Sequence, residues 1–540
     1  MKTCSLPIIT SFLLISALGM YLAHFKIGMI SSFWLFWFCT IGLILLIVFQ
    51  ISQTSSVQAT NTAFILFQIL LVALLLRFLF ISVEHPLNGY DVYNELITVS
   101  EIAKLNHWYP GAISGHAASY PITYFNCLIR SYILDVSLYN TVKWTPLSLY
   151  FISTLVIYKI GQISYSVRAG LFAALGFSLM YISLFLHTTL TRETMALPLC
   201  LVAIYATLIA VKMKKKEYIY IALISSISCI LTHHLTSFLL VLFLICYFLI
   251  SNLSSFKSFQ RIIPRKTSLS AHFIMYIIIC TLGFWASLHN SPLNFFDQIF
   301  AEATIIEPSY RPLIVPSDMR YSILLYGEIT FAFLFGILAL LSIYLLKGRR
   351  TAFDLTLFIF SGFTGVLMVL LLLGKLFQSE GMGLGSRLQT FVYLGLFLLS
   401  GNILRATEIS HRVDWKRALS IAAHLIFIGF IILNIYRLPI YLYSDYNFQQ
   451  DETRCLVTEA EYHAALFLGL GRDELISDSS LKGTLKYTGY TGQAGRLRDS
   501  ETANSTILHS QIIPYITEQY LQNITTQKIY DNNIASIFIR

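Results

Sequence analysis

Along most of this chain, apolar residues run for about 18 to 24 positions before a short polar stretch interrupts them. As a helix, a run of that length crosses the hydrocarbon of a bilayer. Windows of about 19 residues place spans near 7–24, 28–50, 63–82, 145–164, 170–188, 196–211, 218–232, 235–251, 272–288, 322–346, 353–374, 388–404 and 418–436. This predicts an all-α polytopic membrane domain of about 13 helices over residues 1–437. Two long polar stretches, about 83–144 and 289–321, interrupt the series, and a polar tail, 438–540, follows it. The run at 7–24 lacks a small-residue cleavage site and is read as a helix rather than a signal peptide.

The cations fix the orientation. Lys159 and Arg168, then Lys212, Lys214, Lys215 and Lys216, then Lys257, Arg261, Arg265 and Lys266 fall in alternate short loops. Lys347, Arg349 and Arg350, and Arg405, Arg412, Lys416 and Arg417 continue the alternation. Basic loops stay in the cytoplasm, so the N-terminus is expected inside and both long loops and the tail outside. In the first long loop, Leu96, Ile97, Ile102 and Leu105 recur at helical spacing and predict an amphipathic surface helix. The tail combines a helical pattern around Glu459 to Leu470, a strand-like Leu475 to Asp478 and a hairpin pattern over Lys528 to Ile539, which together predict a small extracytoplasmic α/β domain.

Composition strengthens the membrane reading. Hydrophobic residues make up 56% of the chain and charged ones 12%, against about 25% charged in soluble domains, and the mean hydropathy is +0.68. The net charge of +9 is spread over short clusters between apolar runs rather than one basic face, which argues against a nucleic-acid partner. Most of the eight cysteines lie inside apolar runs without CxxC spacing, so neither a zinc site nor a disulfide framework is indicated. No span centre carries the acidic residue of an ion relay, Arg77 is placed to snorkel at an outer helix end, and no matched halves of the transporter kind are visible.

With this topology, ionisable residues gather at the outer helix ends: Asp91 and Glu95, Arg192 and Glu193, His233 and His234, Glu380 and Arg387. Asp91, about nine residues past its span, sits near headgroup depth, where desolvation raises basicity; it reads as a general base or metal ligand, or as a turn or N-cap residue. Glu95 reads as the solvated face of the surface helix or as a substrate contact. Arg192 and Glu193 are pinned in a very short loop and read as snorkelling helix-end charges or as a phosphate contact and a carboxylate partner of Asp91. His233 and His234 project about 100° apart on a helix and make a poor metal pair, leaving interfacial or phosphate-contacting roles. Arg387 follows a glycine-rich stretch, Gly381 to Ser386, whose spacing fits no P-loop; its guanidinium reads as a headgroup snorkel or a bidentate phosphate contact.

Taken together, Gly89-Tyr90-Asp91, Tyr120-Pro121, Thr191-Arg192-Glu193-Thr194, Ser386-Arg387-Leu388 and Lys528-Ile529-Tyr530-Asp531-Asn532 resemble the GT-C superfamily of membrane glycosyltransferases, over roughly 63–404 and the last strand. The resemblance implies an inverting glycosyltransferase that takes a sugar from a polyprenyl- or dolichyl-phosphate-linked donor to a glycan, lipid or protein acceptor at the extracytoplasmic face. It implies catalytic Asp91 and Glu193, with a divalent cation (Mg or Mn) between them if one is used, and Arg387 with Arg192 on the lipid phosphate. Val92 after Asp91 departs from the protein O-mannosyltransferases, and the tail lacks the Trp-Trp-Asp motif of the usual oligosaccharyltransferases. The rival from another class is a transporter or flippase of a lipid-linked saccharide, which accounts less well for the long outer loops and the tail.

Overall fold

The computed structural model describes residues 30–53, 59–83, 90–108, 120–180, 183–184, 187–253, 269–288, 319–346, 351–377, 382–406 and 414–443, and five strands between 474 and 539. The expected span at 7–24, the second long loop, Gly89, Glu380 and the helix expected around Glu459 to Leu470 lie outside the described residues.

Among the described residues the membrane domain is helical throughout. In chain order the helices are α1 (Ile30–Gln53), α2 (Ala59–Val83), α3 (Tyr90–Leu105), α4 (Pro121–Leu134), α5 (Leu138–Ser164), α6 (Val167–Leu179) and α7 (Arg192–Met213). They continue as α8 (Glu217–Ile230), α9 (His234–Leu253), α10 (Ala271–Ser287), α11 (Met319–Leu345), α12 (Ala352–Phe377), α13 (Met382–Ala406) and α14 (Asp414–Tyr443). On their described residues alone, α5, α7 and α9 are long and apolar enough to cross a membrane. The protein is an integral membrane protein. The strands β1 (Glu474–Ser477), β2 (Gln493–Arg496), β3 (Thr506–Ser510), β4 (Gln527–Asp531) and β5 (Ala535–Ile539) form one sheet in the order β2-β1-β3-β5-β4. Its β2-β1-β3 half is parallel and its β3-β5-β4 half antiparallel.

The chain divides into two compact units, one of residues 1–76, 150–185 and 196–438, the other of residues 77–149, 186–195 and 439–540. In the first unit an aromatic core locks four helices. Phe172 of α6 stacks on Phe427 of α14 at 3.8 Å, and Phe335 of α11 stands edge-on to Phe397 of α13 at 5.1 Å. Gly161 and Gly170 let α5 and α6 approach backbone to backbone around the Tyr165 turn, where a Cβ on Gly161 would lie 2.6 Å from the Gly170 Cα. Thr351 caps α12: its Oγ1 accepts from the Asp354 N–H (3.3 Å), while the Asp354 carboxylate accepts from the Thr351 N–H (2.6 Å).

The second unit corrects the reading of the first long loop. The apolar face of its helix α3 is covered by protein: Val92, Leu96, Val99 and Ile102 are buried with Tyr124 and Cys127 of α4, Val142 of α5 and Leu190. Leu105, expected on the apolar face, is 44% exposed. The buried stripe at 92, 96, 99 and 102 follows helical spacing that uses Val92 and Val99 in place of Ile97 and Leu105. Arg77, expected to snorkel, is fully buried.

Candidate functional site

Three short sequences place the charged residues of the second unit. Thr191 ends the segment before α7 and caps it: its Oγ1 accepts from the Thr194 N–H at 3.2 Å, and the Thr194 hydroxyl donates to the Thr189 carbonyl at 2.9 Å. The cap starts α7 four residues before the apolar run expected at 196, so Arg192 and Glu193 occupy the first helical turn rather than a loop. Glu193 there complements the positive end of the helix dipole and is buried. On α4, Pro121 opens the helix with its preset φ, fixing Tyr120 just before it and Tyr124 one turn in. On α3, Glu95 falls within the buried stripe.

These elements bring Glu95 and Arg192 together. The Arg192 Nε lies 3.3 Å from the Glu95 Oε1, with the side chains 19% and 5% exposed respectively. Glu95 is therefore not on a solvated face: burying a carboxylate beside a guanidinium compensates its desolvation, and water would offer it less here than the cation does. The Arg192 guanidinium lies over the Tyr120 ring, 5.5 Å from its centroid. Tyr124 donates its phenolic hydrogen to the Glu95 carboxylate. Burial, then the adjacent Glu95 charge, holds the Tyr124 phenol well above its ordinary pKa, and burial raises that of Tyr120 against the pull of Arg192. Cys127, one turn beyond Tyr124, is a buried free thiol pushed up to about 12 by burial, with Arg130 opposing and Glu95 adding to the shift.

One end of the guanidinium has no such use. Arg192 Nη1 is buried and has no hydrogen-bond partner among the described residues. A guanidinium held at Nε by a carboxylate and flat against a phenol presents its remaining donors to an oxyanion in a fixed orientation.

The other expected residues lie elsewhere. Asp91 is in the first turn of α3, in the same unit as Glu95, Arg192 and Glu193; its side chain is outside the described residues. In the first unit, His233 precedes α9 and its Nδ1 accepts from the Thr236 N–H at 3.4 Å and sits 2.9 Å from the Thr236 hydroxyl, a capping role. The His234 ring centroid is 4.8 Å from that of His233. The glycine-rich stretch before Arg387 is helical from Met382, so Arg387 sits in the second turn of α13 rather than at its start; its side chain is outside the described residues. Among the described residues no three His, Cys, Asp or Glu side chains converge as metal ligands.

Tyr124 and Cys127 do not stand out in the sequence. The available signal is the spacing of Tyr120, Tyr124 and Cys127, which puts all three on one helical face behind Pro121.

The helical membrane fold described above has a counterpart among solved structures. The apo Archaeoglobus fulgidus oligosaccharyltransferase shares it, with a TM-score of 0.51 at 12% identity over 82% of this chain and 69% of that chain. Archaeoglobus fulgidus AglB in complex with an inhibitory peptide and a dolichol-phosphate aligns with a TM-score of 0.49 at 13% identity, over 79% of this chain and 63% of that one, so this chain spans less than two thirds of its length. ArnT from Cupriavidus metallidurans bound to undecaprenyl phosphate aligns with a TM-score of 0.45 at 10% identity, over 89% and 98% of the two chains. No family profile and no curated protein sequence matches the chain.

Proposed function

We propose that this protein is a glycosyltransferase that moves a sugar from a polyprenyl- or dolichyl-phosphate-linked donor to an acceptor at the extracytoplasmic membrane face, with inversion. The GT-C fold is compatible with this but does not dictate it, since one fold hosts many activities. The observation that carries the reading is Arg192: a guanidinium oriented by Glu95 and Tyr120 whose Nη1 donor has no protein partner among the described residues.

In this reaction the bond between the anomeric carbon and the donor phosphate oxygen breaks while the acceptor oxygen forms the new bond to that carbon. Negative charge collects on the departing lipid phosphate, and Arg192 is assigned to neutralise it. Asp91 is assigned to remove the acceptor proton, with Glu193 as a second carboxylate of the same unit. Glu95 holds Arg192 in place. Arg387 is assigned to the donor phosphate by the resemblance, and His233 and His234 to phosphate contact by their place at an outer helix end. The tail 438–540 is assigned as an extracytoplasmic α/β domain, with the N-terminus cytoplasmic. The resemblance also carries a divalent cation at Asp91 and Glu193, to be tested by chelation.

Purified protein in proteoliposomes, offered a panel of polyprenyl-phosphate sugars, is expected to consume one donor and release its polyprenyl phosphate. No consumption of any donor, together with transbilayer movement of a lipid-linked saccharide, would return the chain to the transporter reading.

A further inference from the structure

The densest run of like charge among the described residues lies at the turn that joins α7 to α8. It reads Lys212-Met213-Lys214-Lys215-Lys216, and every residue of it is exposed. Met213 ends α7, which is long and apolar enough to cross a membrane, and Glu217 opens α8, so three residues, all lysine, separate the two helices. Lys214 takes the left-handed conformation (φ 55°) that closes a helix C-terminus. The Lys215 and Lys216 carbonyls accept from the Tyr218 and Ile219 N–H groups at 3.2 and 3.0 Å. Both ends of the turn are therefore tied to a helix, and the lysines stay at the level where α7 ends.

The four cations do not share one fate. The Lys212 ammonium donates to the Ile163 carbonyl of α5, which holds it to the neighbouring helix. Lys214, Lys215 and Lys216 make no hydrogen bond or ion pair with a described residue. Glu217, the next residue, stands in the first turn of α8 and pairs with none of them. Past the turn, Tyr220 and Ile224 lie one turn apart on α8 and are 69% and 64% exposed. In a membrane protein such an apolar surface is covered by lipid, with tyrosine favoured at headgroup level. Three ammonium groups without a protein partner thus stand at the end of a lipid-facing helix.

We infer that Lys214, Lys215 and Lys216 form a binding surface for anionic phospholipid headgroups, from which the Ile163 carbonyl withholds Lys212. Basic loops orient a chain as it inserts, but a cation with only that task is free to pair with a carboxylate once the chain has folded, and these three are left open. The occupant follows from charge and from level. Ammonium point charges on flexible stems suit phosphates that move in a fluid leaflet, whereas a fixed oxyanion calls for the two-pronged geometry of arginine. Each lysine near an anionic leaflet strengthens the attraction by about fivefold, and salt screens it. The inference depends on the membrane location of the chain and not on glycosyl transfer.

The test places the full chain in phosphatidylcholine vesicles that contain a small amount of a phospholipid with a photoactivatable headgroup, either phosphatidylglycerol or phosphatidylcholine. Adducts on the turn, mapped by mass spectrometry of its peptides, are expected to be at least about fivefold more abundant with phosphatidylglycerol. Replacing Lys214, Lys215 and Lys216 together by Gln should remove that ratio, as should high salt, while Lys212→Gln should preserve it. Equal labelling by the two lipids in the parent overturns the inference, as does a ratio that survives the triple replacement. Suppression of the adducts by inorganic phosphate beyond that by chloride at equal ionic strength also overturns it, assigning the lysines to a soluble anion. A detergent-extracted melting temperature matched to the parent shows that the triple variant is folded; if it is not, Lys215→Gln alone must lower the ratio, and an unchanged ratio refutes the surface. A chain that prefers phosphatidylglycerol but consumes no donor leaves this inference standing while the glycosyltransferase reading falls.

Discussion

The Glu95–Arg192 pair makes the strongest quantitative prediction. At 3.3 Å between Nε and Oε1, two unit charges attract by roughly 5 kcal/mol at an effective dielectric of about 20. Most of that offsets the desolvation of a carboxylate 5% exposed and a guanidinium 19% exposed. The contact is single and long for a charge-assisted bond, so the net coupling is expected at about 1–3 kcal/mol. Glu95→Gln keeps an acceptor for Tyr124 but leaves Arg192 charged against the Tyr120 ring, and is expected to destabilise by about 2–4 kcal/mol. Arg192→Met removes the cation and costs a similar amount; the double variant should regain part of the loss. Unfolding of all four proteins in one detergent gives the cycle. Additive losses, to within about 0.5 kcal/mol, would refute a direct pair. Donor turnover separates structure from chemistry: the double variant should recover stability without activity if Arg192 acts on the phosphate as proposed. Parental turnover in that variant would remove Arg192 from the site.

Four other outcomes are expected. Asp91→Asn, which preserves a turn or capping role, should lower donor turnover by about 100-fold to 10,000-fold with an unchanged melting temperature; turnover within about threefold of the parent would return Asp91 to structure. Arg387→Ala should weaken donor binding in a direct assay and Arg387→Lys restore only part of it, since the two-pronged geometry is lost; parental affinity in Arg387→Ala refutes the assignment. The Cys127 thiol stays protonated in the folded chain up to about pH 12 while an exposed thiol ionises near 9.0, so its contribution to stability should fall as pH rises from about 9 towards 12, and the fall should lessen in Cys127→Ala. Gly161→Ala, forcing a Cβ to within 2.6 Å of the Gly170 Cα, should lower stability by about 1–3 kcal/mol, and an unchanged melting temperature would show that α5 and α6 do not pack as described.

Sequence alone established the helical membrane architecture, because a run of apolar residues long enough to span a bilayer is a local property that no distant contact is needed to specify. It also picked out Glu95, Arg192 and Glu193 as residues to watch, since charge close to a helix end in an apolar chain is rare. It did not reveal their partners. The Glu95–Arg192 pair joins residues 97 positions apart, and whether a charge four residues past Asp91 meets water or a guanidinium depends on which face α3 turns to the core. That face was decided by Tyr124, Cys127, Val142 and Leu190 from three other segments. Helix starts were shifted for a similar reason. Thr191 draws Arg192 and Glu193 into α7 through a side-chain cap, and α13 runs back through Gly383 and Gly385 to Met382 against their low helix propensity. The exposed Ile133 face of α4 was equally invisible to hydropathy, because hydropathy does not say which face of an apolar helix packs, and only packing of the Tyr124 face onto α3 left the Ile133 face uncovered.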